Sequence, residues 1–208
     1  MFAAAPLTAT DRLKARLSQV DQPVVIAADD GATTALDFGL KPDLVIGDLD
    51  SLESSTRDRL AGVPIEVYPR EKDFTDGQLA IEHALKYEPS ELLLVGFLGG
   101  PRLDQALANV LLLLAVELPA TLLDETNECT LVRPGTPLEW AVEADEVISL
   151  IPFGSDARGV TTRGLRWALN GDRLRLGDTR GVSNEPTGDR ASVAIEAGLL
   201  LVTRHFVT

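Results

Sequence analysis

The 208 residues of this chain, 45% hydrophobic and 25% charged, suffice for one generous globular domain or two small ones whose core needs no covalent staples. Lys and Arg number 19 against 32 Asp and Glu; the resulting charge of −13 argues against general nucleic-acid binding, yet allows a nucleotide whose phosphates meet a metal ion or a few local cations. One cysteine, Cys129, excludes an internal disulfide and points to a reducing compartment, and two histidines, His83 and His205, leave too few ligands for a Cys/His zinc site.

The opening MFAAAPLTATDRLK has no basic lead and does not have the pattern of a signal peptide. Short β-branched runs then alternate with helix-like segments over the first 125 or so residues. The expected strands are Pro23–Asp29, Asp43–Asp48, Pro64–Pro69, Glu91–Phe97 and Ala120–Glu125. Thr75 and Gln78 have the spacing of a capping box opening a helix through Leu85. Leu103, Leu107, Val110, Leu111 and Leu114 fall on one face of a further helix at a period near 3.6. Within it the longest apolar stretch, Val110 to Val116, is far below the roughly 18 residues of a membrane span, so no membrane partner is expected. This alternation predicts an α/β domain with an open, mainly parallel sheet covered by helices on both faces, over residues 1–130.

After about Arg133 turn signals recur between short strand-like runs, EVISLIPF, LRWALN, ASVAIEA and LLLVTRHF, with Asn170-Gly171 as the strongest hairpin signal. Residues 131–208 are therefore expected to form a small antiparallel β-sandwich domain. No internal repeat or low-complexity tract interrupts either half.

Acidic residues gather where strands end and helices begin: Asp29 and Asp30, Asp48 and Asp50, Asp73 and Asp76, and Asp104. Ligands of open parallel sheets bind beyond the carboxyl ends of the strands, and carboxylates crowded on such a rim raise one another's pKa unless a divalent cation relieves them. Oxygen ligands without Cys or His favour magnesium, calcium or manganese. An aspartate at a strand end is often only a cap or turn residue, a sufficient account of Asp30, Asp43 and Asp58. Asp48-Leu49-Asp50 is different, since capping needs one acid and the motif supplies two. Lys72-Asp73-Phe74-Thr75-Asp76 sets a cation before a helix start with carboxylates three apart. Gly99-Gly100-Pro101-Arg102-Leu103-Asp104 joins a glycine turn to an arginine at a helix start, which suits phosphate. Neither a P-loop nor a GxGxxG fingerprint is present. His83 is expected to pack within its helix, and Cys129 to be a core or junction residue.

In order and over nearly the whole chain, these segments resemble the thiamine pyrophosphokinase family. Ala28-Asp29-Asp30-Gly31-Ala32-Thr33 is similar to its ADGGAN block, and Gly39 to Asp43 to its GxxPD. Ile46-Gly47-Asp48-Leu49-Asp50-Ser51 matches IGDxDS, Lys72 to Asp76 matches KDxTD, Gly99 through Asn109 resembles GGRxDH(Q)xxAN, and Ser183-Asn184-Glu185 is the SNE signature. The resemblance implies transfer of the β,γ-diphosphate of ATP to the thiamine hydroxyl with release of AMP, by a magnesium-dependent cytoplasmic homodimer. Carried over residue by residue, it implies Asp48, Asp50 and Asp76 as magnesium ligands. It puts Lys72, Asp73, Arg102 and Asp104 around the phosphates, and Asp29, Thr75, Arg102 and Asn109 on the nucleotide side. Ser183, Asn184 and the aromatic Trp167 fall to thiamine. Asp30 and Thr33 depart from the ADGGAN pattern, and Pro101 is an extra residue that takes an N–H from the glycine turn. The alternatives are a diphosphokinase acting on another alcohol, such as a pterin, and a non-catalytic nucleotide- or thiamine-binding module.

Overall fold

Apolar runs too short for helices and rich in Val, Ile and Leu become strands, and Ile26–Ala28, Leu44–Gly47 and Leu92–Val95 are buried along their whole length, as the centre of a parallel sheet requires. The computed structural model describes residues 1–48, 52 and 54–206, in two units, Met1–Glu125 and Thr126–Thr208. The first unit runs α1 (Asp11–Leu17), β1 (Ile26–Ala28), α2 (Gly31–Asp37), β2 (Leu44–Gly47), α3 (Ser54–Arg59), β3 (Ile65–Val67), α4 (Asp76–Leu85), β4 (Leu92–Val95), α5 (Leu103–Leu111) and β5 (Ala120–Leu123). Strands β1, β2 and β3 pair in parallel, as do β4 and β5. All five expected strands are present, each trimmed at its ends.

One element escaped the sequence reading. Phe2 bridges Ala27 of β1 and Val95 of β4 in parallel, with Phe2 N donating to Ile26 O at 2.9 Å and Ala3 N to Val95 O at 2.9 Å. The chain start thus joins the two strand groups in the order β3-β2-β1-(Met1–Ala3)-β4-β5. Gly31 makes this close approach feasible, since a Cβ there would sit 2.4 Å from Phe2 O. Around this seam Phe2, Val25, Ala27, Val45, Val95 and Leu123 form the core with Leu13 of α1 and Leu60, each such buried side chain contributing roughly 1.5–3 kcal/mol. β3, with all three residues exposed, has a partner on one side alone among the described residues.

The apolar stripe on α5 does not enter that core. No residue of α5 is buried, and Leu103, Leu107 and Leu111 are 71%, 57% and 52% exposed. The helical period is present, and among the described residues the stripe stays exposed.

The second unit pairs β6 (Asn127–Val132), β12 (Leu200–Phe206) and β8 (Glu146–Pro152) in one antiparallel sheet. The other sheet has the order β10-β9-β11-β7, from Asn170–Leu174, Ala157–Arg163, Arg190–Ala194 and Leu138–Ala141. Their inner faces share one core, including Trp140, Ile148, Leu150, Val160, Leu174, Val193 and Leu200, which makes the unit a β-sandwich. Asn170-Gly171 is not the hairpin loop that the dipeptide suggested. It opens β10, where the register against β9 shifts between Asn170 and Asp172; Asn170 N donates to Asp172 Oδ2 at 2.9 Å and Gly171 N to Thr161 Oγ1 at 3.2 Å. Side-chain acceptors here favour a bulge over a turn. LRWALN lies mostly in the β9–β10 connection, not in a strand. The chain divides after Glu125, and Asn127–Val132, the edge of the first expected domain, begins the sandwich.

Candidate functional site

Three carboxylates reach one place from three strand ends. Asp29 directly follows β1, Asp48 directly follows β2, and Asp76 is the first residue of α4, reached from β3 by the Tyr68–Thr75 connection. All three line a cavity of about 700 Å³ in the first unit, together with Arg70, Lys72, Asp73, Arg102, Asp104 and Asn109. The position beyond the strand carboxyl ends is where such sheets take ligands.

Asp29 is the strained member. Its φ of 46° lies in the left-handed region, which aspartate tolerates better than most residues. Its carboxylate occupies the space left by Gly47, where a Cβ would stand 1.7 Å from Asp29 Oδ1. Oδ1 of Asp29 and Oδ1 of Asp76 are both buried without a hydrogen-bond donor. Burial foremost, then repulsion from and proton sharing with Asp76, and the charge of Asp48, hold the Asp29 carboxyl up at about 7, against the opposing pull of Lys72.

Lys72 lies with its Nζ 3.0 Å from Asp76 Oδ1, close enough for an ion pair though not aligned as a hydrogen bond. The same ammonium donates to Pro69 O at 3.3 Å. Thr75 is the N-cap of α4, its hydroxyl accepting from Gln78 N at 3.2 Å, while the Gln78 side chain turns to Glu82 Oε1 at 3.1 Å. The cap therefore forms on one side only. Arg102 donates through Nε to Asp104 Oδ1 at 2.8 Å and through Nη2 to Oδ2. This bond with Arg102 holds the exposed Asp104 carboxyl down at about 2. Asn109 Nδ2 donates to Phe97 O at 2.8 Å and so secures the loop after β4. Asp73 is exposed on the cavity wall.

The two departures in the first block meet each other. Thr33 Oγ1 donates to Asp30 Oδ1 at 2.7 Å and lies 3.1 Å from Thr56 Oγ1. Asp43 accepts from Val25 N at 2.8 Å, the turn role expected of it, and His83 packs as expected, buried with Tyr68 Oη at 2.9 Å and Glu66 Oε2 at 3.0 Å.

In the second unit Asn184 is buried and fully engaged. Its Oδ1 accepts from Trp167 N at 3.1 Å and Glu185 N at 2.9 Å, and its Nδ2 donates to Trp167 O at 2.9 Å. The amide thus fixes the backbone of Trp167, whose ring is 53% exposed and carries the Arg166 guanidinium at 5.0 Å. Ser183, at φ 61°, is exposed, and its N–H donates to Ser149 Oγ at 3.1 Å.

Asp50, with Leu49 and Ser51, lies outside the described residues. Among the described residues no three Asp, Glu, His or Cys side chains form a metal cluster by themselves. The carboxylates of Asp29, Asp48 and Asp76 are nonetheless hard oxygen donors, with the Lys72 ammonium beside Asp76 at 3.0 Å, and an all-oxygen set fits magnesium.

Residues 16–122 match the family model of the thiamin pyrophosphokinase catalytic domain, and residues 138–200 that of the thiamin pyrophosphokinase vitamin B1 binding domain. The chain belongs to the thiamin pyrophosphokinase family. Thiamine pyrophosphokinase of Bacillus subtilis (strain 168) is 35% identical over 187 residues, covering 86% of each chain. The crystal structure of thiamine pyrophosphokinase from Bacillus subtilis superposes with a TM-score of 0.87 at 27% identity, over 99% of this chain and 97% of that one. Thiamin pyrophosphokinase from Geobacillus thermodenitrificans gives 0.83 at 27% identity, over 99% and 96%. The catalytic-domain match takes in every acid and cation of the cavity, and the vitamin B1 match takes in Trp167, Ser183 and Asn184. The sequence reading of this thiamin pyrophosphokinase family member missed Arg70 on the cavity wall; a second cation two residues before Lys72 was the available signal.

Proposed function

We propose that the chain transfers the β,γ-diphosphate of ATP to the hydroxyl of thiamine, giving thiamine diphosphate and AMP, in a magnesium-dependent reaction. The observation that carries this reading is the convergence of Asp29, Asp48 and Asp76 from separate strand ends on one cavity that also has Lys72 and Arg102 on its wall. A structural role would not gather acids where they repel each other.

Asp48 and Asp76, with Asp50, would hold the metal, and Asp29 would stand beside them. Bound there, magnesium supplies charge neutralisation to the polyphosphate and a template for in-line displacement. Lys72 holds Asp76 in position through its ion pair at 3.0 Å. Arg102, Gly99 and Gly100 line the cavity from the loop before α5, where a guanidinium and a glycine turn would suit the phosphates. Asp73, on the cavity wall with no cation partner among the described residues, accepts the hydroxyl proton as the oxygen attacks the β-phosphorus. In the second unit Asn184 sets the backbone of Trp167, and the ring, which already carries a guanidinium, offers the same face to a cationic thiazolium. The exposed Leu103, Leu107 and Leu111 stripe supports a homodimer. Among the described residues no helix is long and apolar enough to cross a membrane, in keeping with a cytoplasmic enzyme.

The test is AMP release by the purified chain with ATP and magnesium, with and without thiamine and across a panel of other primary alcohols. Thiamine-dependent AMP formation, abolished by Asp50→Asn without loss of fold, is the expected result. AMP formation indifferent to thiamine, or full turnover by Asp50→Asn, would overturn the assignment.

A further inference from the structure

The described residues lining the cavity include five acids, Asp29, Asp48, Asp73, Asp76 and Asp104, against three cations, Arg70, Lys72 and Arg102. A polyphosphate entering this wall meets a surplus of its own charge, so the state of each cation decides where it is first held. Two of the three are already committed. Lys72 is paired with Asp76 at 3.0 Å and donates to Pro69 O at 3.3 Å, its side chain 13% exposed. Arg102 spends two donors on Asp104. A phosphate must compete with a carboxylate for either.

Arg70 stands in a different condition. It lies in the same β3–α4 connection, two residues before Lys72, and is exposed on the cavity wall. Among the described residues no carboxylate pairs with it, so its five N–H donors are available to an anion. The connection itself is fixed: Tyr68 N donates to Gly47 O at 3.1 Å on one side, and the Lys72 ammonium closes back on Pro69 O. Arg70 is thus an unspent guanidinium held on an anchored loop at the mouth of an acid-rich cavity, and a planar fork suits paired phosphate oxygens.

We infer that Arg70 is a binding residue for the polyphosphate of the nucleotide, making the first cationic contact before Lys72 and Arg102 exchange carboxylate for phosphate. The inference rests on the diphosphotransferase reading and adds to it a contact that the acid motifs do not contain.

The experiment is calorimetric titration of the full chain, wild type, Arg70→Ala and Arg70→Lys, with the α,β-methylene analogue of ATP plus magnesium, and separately with AMP. Arg70→Ala is expected to weaken the analogue about tenfold or more, and to leave AMP affinity and the melting temperature unchanged. Arg70→Lys should recover part of the loss, and raising salt should weaken the analogue more in wild type than in Arg70→Ala. In turnover the defect should fall on KM for ATP, not on KM for thiamine. Equal analogue affinity in wild type and Arg70→Ala overturns the inference, as does a parallel loss of AMP binding, which would mean a general disturbance of the site. If the wild type binds the analogue but forms no thiamine-dependent AMP, the acceptor assignment fails while the titration still decides Arg70. If the wild type does not bind the analogue, both readings fail.

Discussion

Gly47→Ala is the substitution that most directly tests how the fold builds the acid cluster. Gly47 ends β2 at φ 147°, and a Cβ there would stand 1.7 Å from Asp29 Oδ1 and 2.6 Å from its Cγ. The added methyl has two separable costs. The backbone conformation alone should cost an alanine roughly 1–3 kcal/mol. The overlap also forces the Asp29 carboxylate back by about 1.5 Å, and misplacing a catalytic group by ~1 Å lowers turnover by about 100-fold. Gly62→Ala isolates the first cost, because Gly62 has φ 79° with nothing within 4 Å of its added Cβ. Urea unfolding without metal should show both variants destabilised, Gly47→Ala the more, since it adds the overlap to the backbone strain. Thiamine-dependent AMP release should fall about 100-fold in Gly47→Ala and stay within about twofold of wild type in Gly62→Ala. Were Gly47→Ala to keep the activity of Gly62→Ala, the position of the Asp29 carboxylate would not matter to the chemistry, and the cluster built on it would be a wrong assignment.

Three further outcomes follow from the same geometry. Burial, with repulsion from Asp76 and Asp48, raises the folded Asp29 carboxyl to about 7 from an ordinary 3.8, so its stabilisation is fully present below about pH 4 and is lost as pH rises through 7; melting temperatures of the metal-free protein should fall over that window, less so in Asp29→Asn, and an identical slope in both would refute the cause. Asn184→Ala strands the Trp167 N–H and carbonyl, an expected loss of about 2–4 kcal/mol accompanied by a raised KM for thiamine and altered tryptophan emission; an unchanged denaturation midpoint would sink this. Arg204, 11% exposed, bridges Glu128 at 3.0 Å and the fully buried Glu146 at 2.6 Å, so Arg204→Met should cost about 3–5 kcal/mol and Arg204→Met with Glu146→Gln less; equal losses in the single and double variants would show that stranded charge is not the cause.

The parallel strands were legible because burial on both faces demands an unbroken apolar run, and IAA, LVIG and LLLV have no other use in a chain with 25% charge. The carboxylates were legible because a strand end needs at most one capping acid and several ends held more. What stayed hidden depends on neighbours distant in sequence. Phe2 sits in the sheet because Ile26 and Val95 both leave it a vacant ladder, a fact of topology that no local pattern near Met1 expresses. That Asp29 crowds Asp76 and Asp48 closely enough to perturb its carboxyl depends on the bare Gly47 against which it packs, and no local pattern shows that. Asn170-Gly171 misled because the dipeptide states a left-handed preference and not where that conformation is spent: side chains of Asp172 and Thr161 draw it into a bulge. Arg70 lies outside the acid motifs, and its distinction is that among the described residues no carboxylate pairs with it, where its two fellow cations have one.

The local conflict in this fold has a direction. With no metal bound, Asp29 and Asp76 keep buried oxygens outside any aligned hydrogen bond, that of Asp76 with the Lys72 ammonium at 3.0 Å, and burial beside Asp76 and Asp48 holds the Asp29 carboxyl up at about 7. Asparagine at either position would relieve that conflict, so stability alone gives no reason for the acids. A divalent cation held by Asp48, Asp50 and Asp76 would lower that repulsion through its charge, and the relief is available only while the carboxylates are close. The repulsion that weakens the empty fold and the free energy that would draw a metal and its phosphates into the cavity are therefore one quantity, seen with and without the ligand. It follows that magnesium must stabilise the wild type more than Asp29→Asn, and more at pH 8 than at pH 5, where protonation has already relieved the pair.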